Sequence, residues 1–222
     1  MVMNPAALPE RLACIPVDQV HIEGALALPA DPLGIVLFAH GSGSSRHSPR
    51  NQYVAQVLLE RGFGTLLLDL LTPEEDRDAS RRFEIGLLTQ RLLTATVWLR
   101  QQALTQQLPL AYFGASTGAA AALKAAANAG SGIRAVVSRG GRPDMAEPQE
   151  LARVQCPTLL LVGQNDTEVL QLNRLAASFL HCTNSLRVIA GATHLFEEPG
   201  TLEAVAKQAA DWFERHLTSE PD

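Results

Sequence analysis

The sequence has only three cysteines, and no C-x-x-C spacing joins any two of them. An odd number without that spacing argues against both a disulfide framework and a zinc site. Cys156 precedes a predicted strand, so we expect it to be a small buried apolar residue. Because His40 and His47 are too weakly constrained to indicate another metal, we predict that the protein uses no metal ion.

Long apolar runs and an excess of positive charge are also missing. No run reaches the length of a membrane span, and the N-terminus has no basic segment followed by an apolar one. The net charge of −5 gives no general attraction to nucleic acid or anionic membranes. We therefore expect a cytoplasmic protein with no nucleic-acid or membrane partner. A homodimer is left open.

Phosphate-binding signatures are absent as well. The sequence has no Walker-type loop, and no G-x-G-x-x-G opens a helix. These absences give no support to a nucleotide cofactor. We predict that the protein works without any cofactor.

What the sequence does contain is an ordinary globular composition, with 46% hydrophobic and 18% charged residues in 222. This length suits one α/β domain over residues 1–222, with 1–12 and 218–222 loosely ordered. Continuous apolar runs alternate with helical periodicity, which predicts a mostly parallel sheet covered on both faces. The predicted strands are an opening hairpin over 17–28 hinged near Gly24, then 34–39, 63–71, 108–113, 133–138, 157–162 and 185–189. Two helices are predicted over residues 51–60 and 168–180. A third carries Leu88 to Leu99, a fourth begins after Ser116, and a fifth carries Leu202 to Phe213.

The stretch around which the chain is organised is Leu108 to Leu123. A strand-like run ends at Gly114-Ala-Ser116-Thr-Gly118, and an Ala-rich helical run begins at once. This strand, sharp turn and helix are the context of a nucleophile elbow. The two glycines lack the Cβ atoms that would collide where the strand and the helix almost touch. We therefore predict Ser116 as a nucleophile.

A base and an acid for this serine follow later strands. His194 is the one histidine of six that comes just after the last predicted strand, and Asp166 is the first acid after its own strand. The order Ser, Asp, His is the one expected when an elbow serine belongs to a triad. Glu168 and Asp144 are the rivals for the acid, although Glu168 falls in the next predicted helix.

Two further clusters follow predicted strands. The loop His40-Gly-Ser42-Gly43 is rich in small residues and can supply a backbone N–H to an oxyanion, with Thr117 supplying the second. Ser42 is our first choice in that loop and Gly43 the second. Four arginines, Arg46, Arg50, Arg139 and Arg142, lie on two loops at the same end of the sheet. They predict an anionic substrate; the alternative is that they pair with acids such as Asp69 and Asp144.

These motifs resemble the α/β-hydrolase superfamily over nearly the whole chain, specifically its small, lidless dienelactone-hydrolase-like branch. The resemblance rests on the 40–43 loop, the elbow, Asp166 and the Ala192-Thr193-His194 turn. It implies the α/β-hydrolase fold, with Ser116 as nucleophile, Asp166 as acid and His194 as base. The 44–51 and 138–143 stretches resemble a subgroup whose members are sometimes fused to a phosphoribosyltransferase domain. Because dienelactone hydrolase proper carries cysteine at the elbow, the resemblance does not imply lactone specificity.

The predicted function is thus a serine hydrolase acting on a small ester, thioester or lactone through an acyl-enzyme. Acyl transfer to an acceptor other than water is an alternative that the sequence does not separate from hydrolysis. A second alternative is a non-catalytic module that keeps the fold and binds a small molecule or a phosphoribosyltransferase partner. The short interval from Arg139 to Gln155 predicts an open, shallow pocket without a lid domain.

Overall fold

The computed structural model describes residues 10–129 and 132–218. Over these residues the chain forms eight strands: β1 (Arg11–Val17), β2 (Val20–Ala27), β3 (Ile35–Ala39), β4 (Gly64–Leu68), β5 (Leu110–Ala115), β6 (Ile133–Arg139), β7 (Thr158–Gly163) and β8 (Asn184–Ile189). The α-helices there are α1 (Pro49–Glu60), α2 (Ile85–Gln101), α3 (Thr117–Ala129), α4 (Pro148–Leu151), α5 (Thr167–Phe179) and α6 (Thr201–Leu217). Short 3₁₀ turns cover Glu75–Arg77, Ala79–Phe83 and Pro143–Met145.

The strands form one sheet in the order β1-β2-β4-β3-β5-β6-β7-β8. β1 and β2 are antiparallel to their neighbours, whereas β3 to β8 pair in parallel. Strands β3, β4, β5 and β7 are buried along their whole length, which is why they appear in the sequence as continuous apolar runs. The sheet confirms the predicted mostly parallel, doubly covered architecture.

Helices cover the sheet on both faces. Alternate residues of the central strands, such as Val36, Phe113 and Val137, pack in one core with α1 and α6. The residues between them, such as Leu37 and Tyr112, pack in the other core with α2 and α3. This alternation follows from the two-residue period of a strand. The connection between β6 and β7 holds one 3₁₀ turn and the short α4, so the described chain has no lid domain, as expected.

The opening hairpin differs from the prediction. β2 runs unbroken through Gly24, and the turn lies earlier, at Asp18 and Gln19, with Asp18 at a φ of 51°. Aspartate tolerates this left-handed conformation, so it supplies the turn that we had assigned to glycine. Arg11 and Leu12, predicted to belong to a loose arm, are part of β1. Residues 1–9 and 219–222 of the segments predicted to be loosely ordered lie outside the described residues.

Another boundary affects the candidate site. β6 extends to Arg139, which we had assigned to the following loop, and Arg139 is consequently buried. The carboxyl ends of β3, β5, β6, β7 and β8 meet at one edge of the sheet, where ligands bind in open α/β sheets. No helix of the described ranges is both long and apolar enough to cross a lipid bilayer.

Candidate active site

The turn between β5 and α3 holds Ser116 in an uncommon conformation. Its φ is 49°, in the left-handed region that non-glycine residues rarely adopt. Its N–H donates to the carbonyl of Arg139 at 3.2 Å, and its carbonyl accepts from the N–H groups of Ala119 and Arg142, both at 3.1 Å. These bonds hold the strained turn between the strand and the helix, in the geometry of a nucleophile elbow.

Both glycines of the elbow are required by close backbone approach. A Cβ on Gly118 would lie 2.1 Å from the carbonyl oxygen of Ala39, and one on Gly114 would lie 2.4 Å from Cα of Ala119. Atoms in contact need roughly 3.5 Å or more between carbons. The start of α3 can therefore lie against β3 and β5 only if these two positions have no side chain.

The structure pairs Asp166 with His194. Asp166 immediately precedes α5, and its Oδ2 accepts a hydrogen bond from Nδ1 of His194 at 2.6 Å. The Asp166 side chain is 13% exposed and that of His194 is 38% exposed, so the carboxylate is sheltered while the imidazole remains reachable. With Nδ1 donating to the carboxylate, Nε2 of the neutral ring is left to act as a base.

Neither rival acid takes this position in the described residues. Glu168 lies inside α5, and the Asp144 carboxylate accepts two hydrogen bonds from Arg142 at 2.8 and 2.7 Å. The hydrogen bond expected between Asp166 and His194 is therefore the one present.

Ser116 and His194 contact the same short segment, residues 139–142. The backbone of Ser116 bonds to Arg139 and Arg142, and Gly140 between them lies under His194. A Cβ on Gly140 would be 3.5 Å from Cε1 of the imidazole and 3.3 Å from the carbonyl oxygen of His194. The end of β6 thus brings the serine turn and the histidine loop side by side.

The loop that carries His194 is held by several polar contacts that sequence analysis did not identify. The amide of Asn165 donates to the carbonyl of Gly191 at 2.9 Å, and Gln164 accepts from the N–H of Gly191 at 3.0 Å. On the other side, Glu198 accepts hydrogen bonds from the N–H and the hydroxyl of Thr193 at 3.1 and 2.6 Å. These bonds lower the pKa of Glu198. Such residues look like ordinary polar loop residues until their partners are known.

The two candidate oxyanion donors line one hollow of about 10 Å³, together with Gly43. Within the described residues, the N–H groups of Ser42 and Thr117 donate to no protein acceptor. The loops are in direct contact, since a Cβ on Gly41 would be 3.0 Å from Cβ of Ser116. Two free backbone donors beside the serine are what a developing oxyanion needs.

His40 anchors this loop, a role that sequence reasoning missed. Its buried Nε2 accepts the N–H of Leu70 at 3.2 Å, which requires the tautomer with hydrogen on Nδ1. Nδ1 in turn donates to the carbonyl of Gly41 at 2.9 Å. Burial lowers the pKa of His40 because it disfavours the charged ring. The neutral imidazole therefore ties the 41–43 loop to the end of β4.

The four predicted arginines have different surroundings. Arg46 is held by Asp69 and by Glu23, the latter at 2.6 Å, and it lines a cleft of about 230 Å³ that neither Ser116 nor His194 lines. Arg142 is held by Asp144, whose hydrogen bonds raise the pKa of the guanidinium. Arg50 pairs with Glu197 at 3.1 Å. Arg139 is the exception, since it forms no ion pair within the described residues.

Comparison with known proteins agrees with this geometry. The family model described as an alpha/beta hydrolase domain matches residues 33–217. The chain is 59% identical over 198 residues to a Mycobacterium tuberculosis protein provisionally named a phosphoribosyl transferase. That match covers 89% of this chain but 44% of the relative, so the chain spans less than half of that protein.

Solved structures give a closer description. A dienelactone hydrolase from Anabaena variabilis is 52% identical with a TM-score of 0.91, over 94% of this chain and 98% of that one. Est1E from Butyrivibrio proteoclasticus has the same fold, with a TM-score of 0.80 at 14% identity over 94% of this chain and 99% of that one. The chain therefore belongs to the α/β-hydrolase family, within its dienelactone-hydrolase-like branch.

Proposed function

We propose that this protein is a serine hydrolase that cleaves a small ester, thioester or lactone through an acyl-enzyme. Ser116 is the nucleophile, His194 the general base and Asp166 the acid that orients it. The observation that carries the proposal is the 2.6 Å hydrogen bond between Asp166 and His194, on a loop that shares the 139–142 segment with the strained Ser116 turn. A serine hydroxyl is a poor nucleophile until such a base takes its proton.

In the first half of the proposed reaction, Nε2 of His194 removes the Ser116 proton as Oγ attacks the acyl carbon. The charge that develops on the carbonyl oxygen is held by the N–H groups of Ser42 and Thr117, with Gly43 as the second choice in the loop. The tetrahedral intermediate collapses, and the imidazolium gives its proton to the leaving alcohol or thiol. Asp166 stabilises the imidazolium while it exists.

In the second half, His194 takes a proton from water, which attacks the acyl-enzyme and releases the acid. Regeneration of the Ser116 hydroxyl completes the cycle. An alcohol or amine in place of water would give acyl transfer by the same steps.

The transferase name of the Mycobacterium tuberculosis relative does not compete with this proposal. The region shared with this chain is the hydrolase-family region, and 44% of that relative is matched. We infer that a phosphoribosyl transfer activity, if that protein has one, belongs to its remaining part. Our proposal for the shared region rests on the chemistry of the site rather than on the relative's name.

Labelling with a fluorophosphonate tests the proposal directly, because such probes react only with an activated serine. We expect the wild-type protein to be labelled at Ser116 and the Ser116→Ala variant to remain unlabelled. A panel of acyl esters of varied length then identifies the substrate class, and an added alcohol acceptor separates hydrolysis from acyl transfer. A folded wild-type protein that takes no label and hydrolyses no ester would favour the non-catalytic binding module instead.

A further inference from the structure

Arg139 is a buried residue whose guanidinium has no ion-pair partner among the residues that the structure describes. The residue is 8% exposed, and its Nε and Nη1 atoms are buried and make no hydrogen bond. No carboxylate of the described residues forms an ion pair with it. Its one favourable charge contact is with the ring of Phe196, whose centroid lies 5.9 Å from the guanidinium carbon. A buried cation with so little compensation is costly, so its retention needs an explanation.

A second cation lies next to it. Arg50, at the start of α1, is close enough that its charge, together with the larger effect of burial, lowers the pKa of Arg139 to about 10. Arg139 therefore stays protonated at neutral pH. Arg50 uses Nη1 to bind Glu197 at 3.1 Å, while its buried Nε has no partner. Of these two neighbouring guanidinium groups, Arg50 is paired with an exposed carboxylate, and Arg139 has no carboxylate partner among the described residues.

This pair lies beside the proposed catalytic residues. Arg139 is opposite Ala115 in the β5–β6 register, and its carbonyl accepts the N–H of Ser116 at 3.2 Å. Phe196, which the guanidinium covers, is two residues beyond His194 and is itself held at a φ of 56°. The Arg139 backbone is therefore bonded to the serine turn, while its guanidinium lies against Phe196 of the histidine loop and near Arg50 at the start of α1.

We propose that Arg139, with Arg50 beside it, is a subsite for a carboxylate or phosphate group of the substrate. The planar guanidinium offers parallel donors that match either group, and an anion there would compensate both positive charges. Arg46 and Arg142 are not part of the subsite, because Asp69, Glu23 and Asp144 already hold them. This inference rests on the proposed function, since it assigns the substrate of that same site.

Anion binding tests the subsite without any turnover. We expect acetate, succinate or inorganic phosphate to bind the wild-type protein in calorimetry and to raise its Tm, and comparison of the three separates a carboxylate site from a phosphate site. Arg139→Met, which removes the charge at similar volume, should weaken this binding at least tenfold. Arg61→Ala is the matched control, because it removes an arginine at the opposite end of α1, where Arg61 pairs with Asp211 and Glu214. Wild-type protein that binds none of these anions would overturn the proposal.

Stability distinguishes a binding role from a structural one. If the Arg139 charge serves a ligand, then Arg139→Met should leave Tm unchanged or raise it in anion-free buffer, because it removes an uncompensated buried charge. A clear fall in Tm, or failure to fold, would mean that Arg139 supports the fold and would overturn the proposal. Arg139→Lys keeps the charge but not the planar fork and should recover only part of the anion affinity.

Kinetics connect the subsite to the reaction. We expect Arg139→Met to raise KM about tenfold or more for 4-nitrophenyl hemisuccinate, as loss of a charge-assisted hydrogen bond does, and to raise KM for 4-nitrophenyl butyrate by a much smaller factor. Equal losses on both esters would overturn the subsite while leaving the hydrolase proposal intact. Anion binding that depends on Arg139, in a protein that takes no fluorophosphonate label, would overturn the hydrolase proposal while leaving the subsite intact.

Discussion

At the scale of single residues, Ser116 has a strained backbone and is only partly buried. Its φ of 49° is maintained by backbone bonds to Arg139, Ala119 and Arg142, so the fold holds the backbone of this residue in a conformation that serine rarely adopts. Strain of this kind concentrates at functional sites, where it positions a group before substrate arrives. The same reasoning leads to two predictions about individual substitutions.

The first concerns Ser116 itself. Glycine accepts a positive φ freely and alanine does not, so Ser116→Gly should be more stable than Ser116→Ala by about 1 kcal/mol. Urea denaturation of the two variants measures this difference in the free energy of unfolding. Both lack the hydroxyl and serve as controls for each other. Equal stabilities would show that the turn is not strained.

The second concerns the proposed triad. Ser116→Ala, Asp166→Asn and His194→Ala should each lower kcat for an ester roughly a thousandfold or more, and double variants should lose little further. Asp144→Asn is the matched control, because Asp144 binds Arg142 rather than His194. Near wild-type turnover in His194→Ala would contradict the assignment of the base.

At the scale of secondary-structure elements, the site depends on how closely α3 and the loop after β3 approach each other. Gly118 lets the first turn of α3 rest on the end of β3, and His40 ties the following loop to Leu70. Neither contact takes part in the proposed reaction, but together they determine the positions of Ser42 and Thr117.

Gly118→Ala therefore tests the packing of α3. Its Cβ would meet the carbonyl oxygens of Ala39 and His40 at 2.1 and 2.4 Å, which only backbone movement relieves. We expect a loss of ~2–3 kcal/mol in the free energy of unfolding. Gly86→Ala, also in a helix but with nothing within 4 Å of the new Cβ, is the control and should be neutral or slightly stabilising. A Gly118→Ala protein as stable as this control would contradict the close approach.

The buried His40 leads us to expect that the free energy of unfolding depends on pH. Because burial holds its pKa below the ordinary value of 6.5, the unfolded chain binds the proton more readily. The free energy of unfolding should therefore fall as the pH drops below 6.5, until the pH passes the lowered pKa. Denaturation at a series of pH values from 7 to 5 should show a smaller decline for His40→Gln than for wild type. Identical declines would exclude His40 as a contributor.

At the scale of the whole molecule, the residues of the candidate site lie together at one edge of the sheet. The chain carries a net charge of −5, so the proposed anion subsite is a local exception to the overall field. A small anion would meet only the local field of such a subsite, whereas an extended polyanion meets the field of the whole charged surface.

This contrast gives a prediction about partners. We expect the protein not to be retained on heparin at roughly 0.1 M salt, because binding of a nucleic-acid-like polyanion needs many neutralised phosphates. The Arg61→Ala and Arg139→Met variants should behave identically there. Retention that requires high salt for elution would contradict our expectation that the protein has no nucleic-acid partner.

The sequence alone was sufficient for the fold class and for most element positions. Buried parallel strands need side chains that are apolar on both faces, so β3, β4, β5 and β7 stand out as apolar runs. The elbow was recognisable because Gly114 and Gly118 flank Ser116 at the junction of a strand and an Ala-rich helix. The choice of Asp166 and His194 also followed from local position, since each comes directly after a strand.

Only the tertiary structure decided which polar groups are paired. Arg46, Arg50, Arg139 and Arg142 look equivalent in the sequence, yet three are held by carboxylates, whereas Arg139 is buried and pairs with no carboxylate in the described part of the chain. The turn at Asp18 and the anchoring bonds of His40 and Glu198 were likewise invisible, because a hydrogen bond depends on which segments fold together. Apolar periodicity is a local property that the sequence displays, whereas pairing of charges and polar atoms joins residues far apart in the chain and exists only once the sheet has formed.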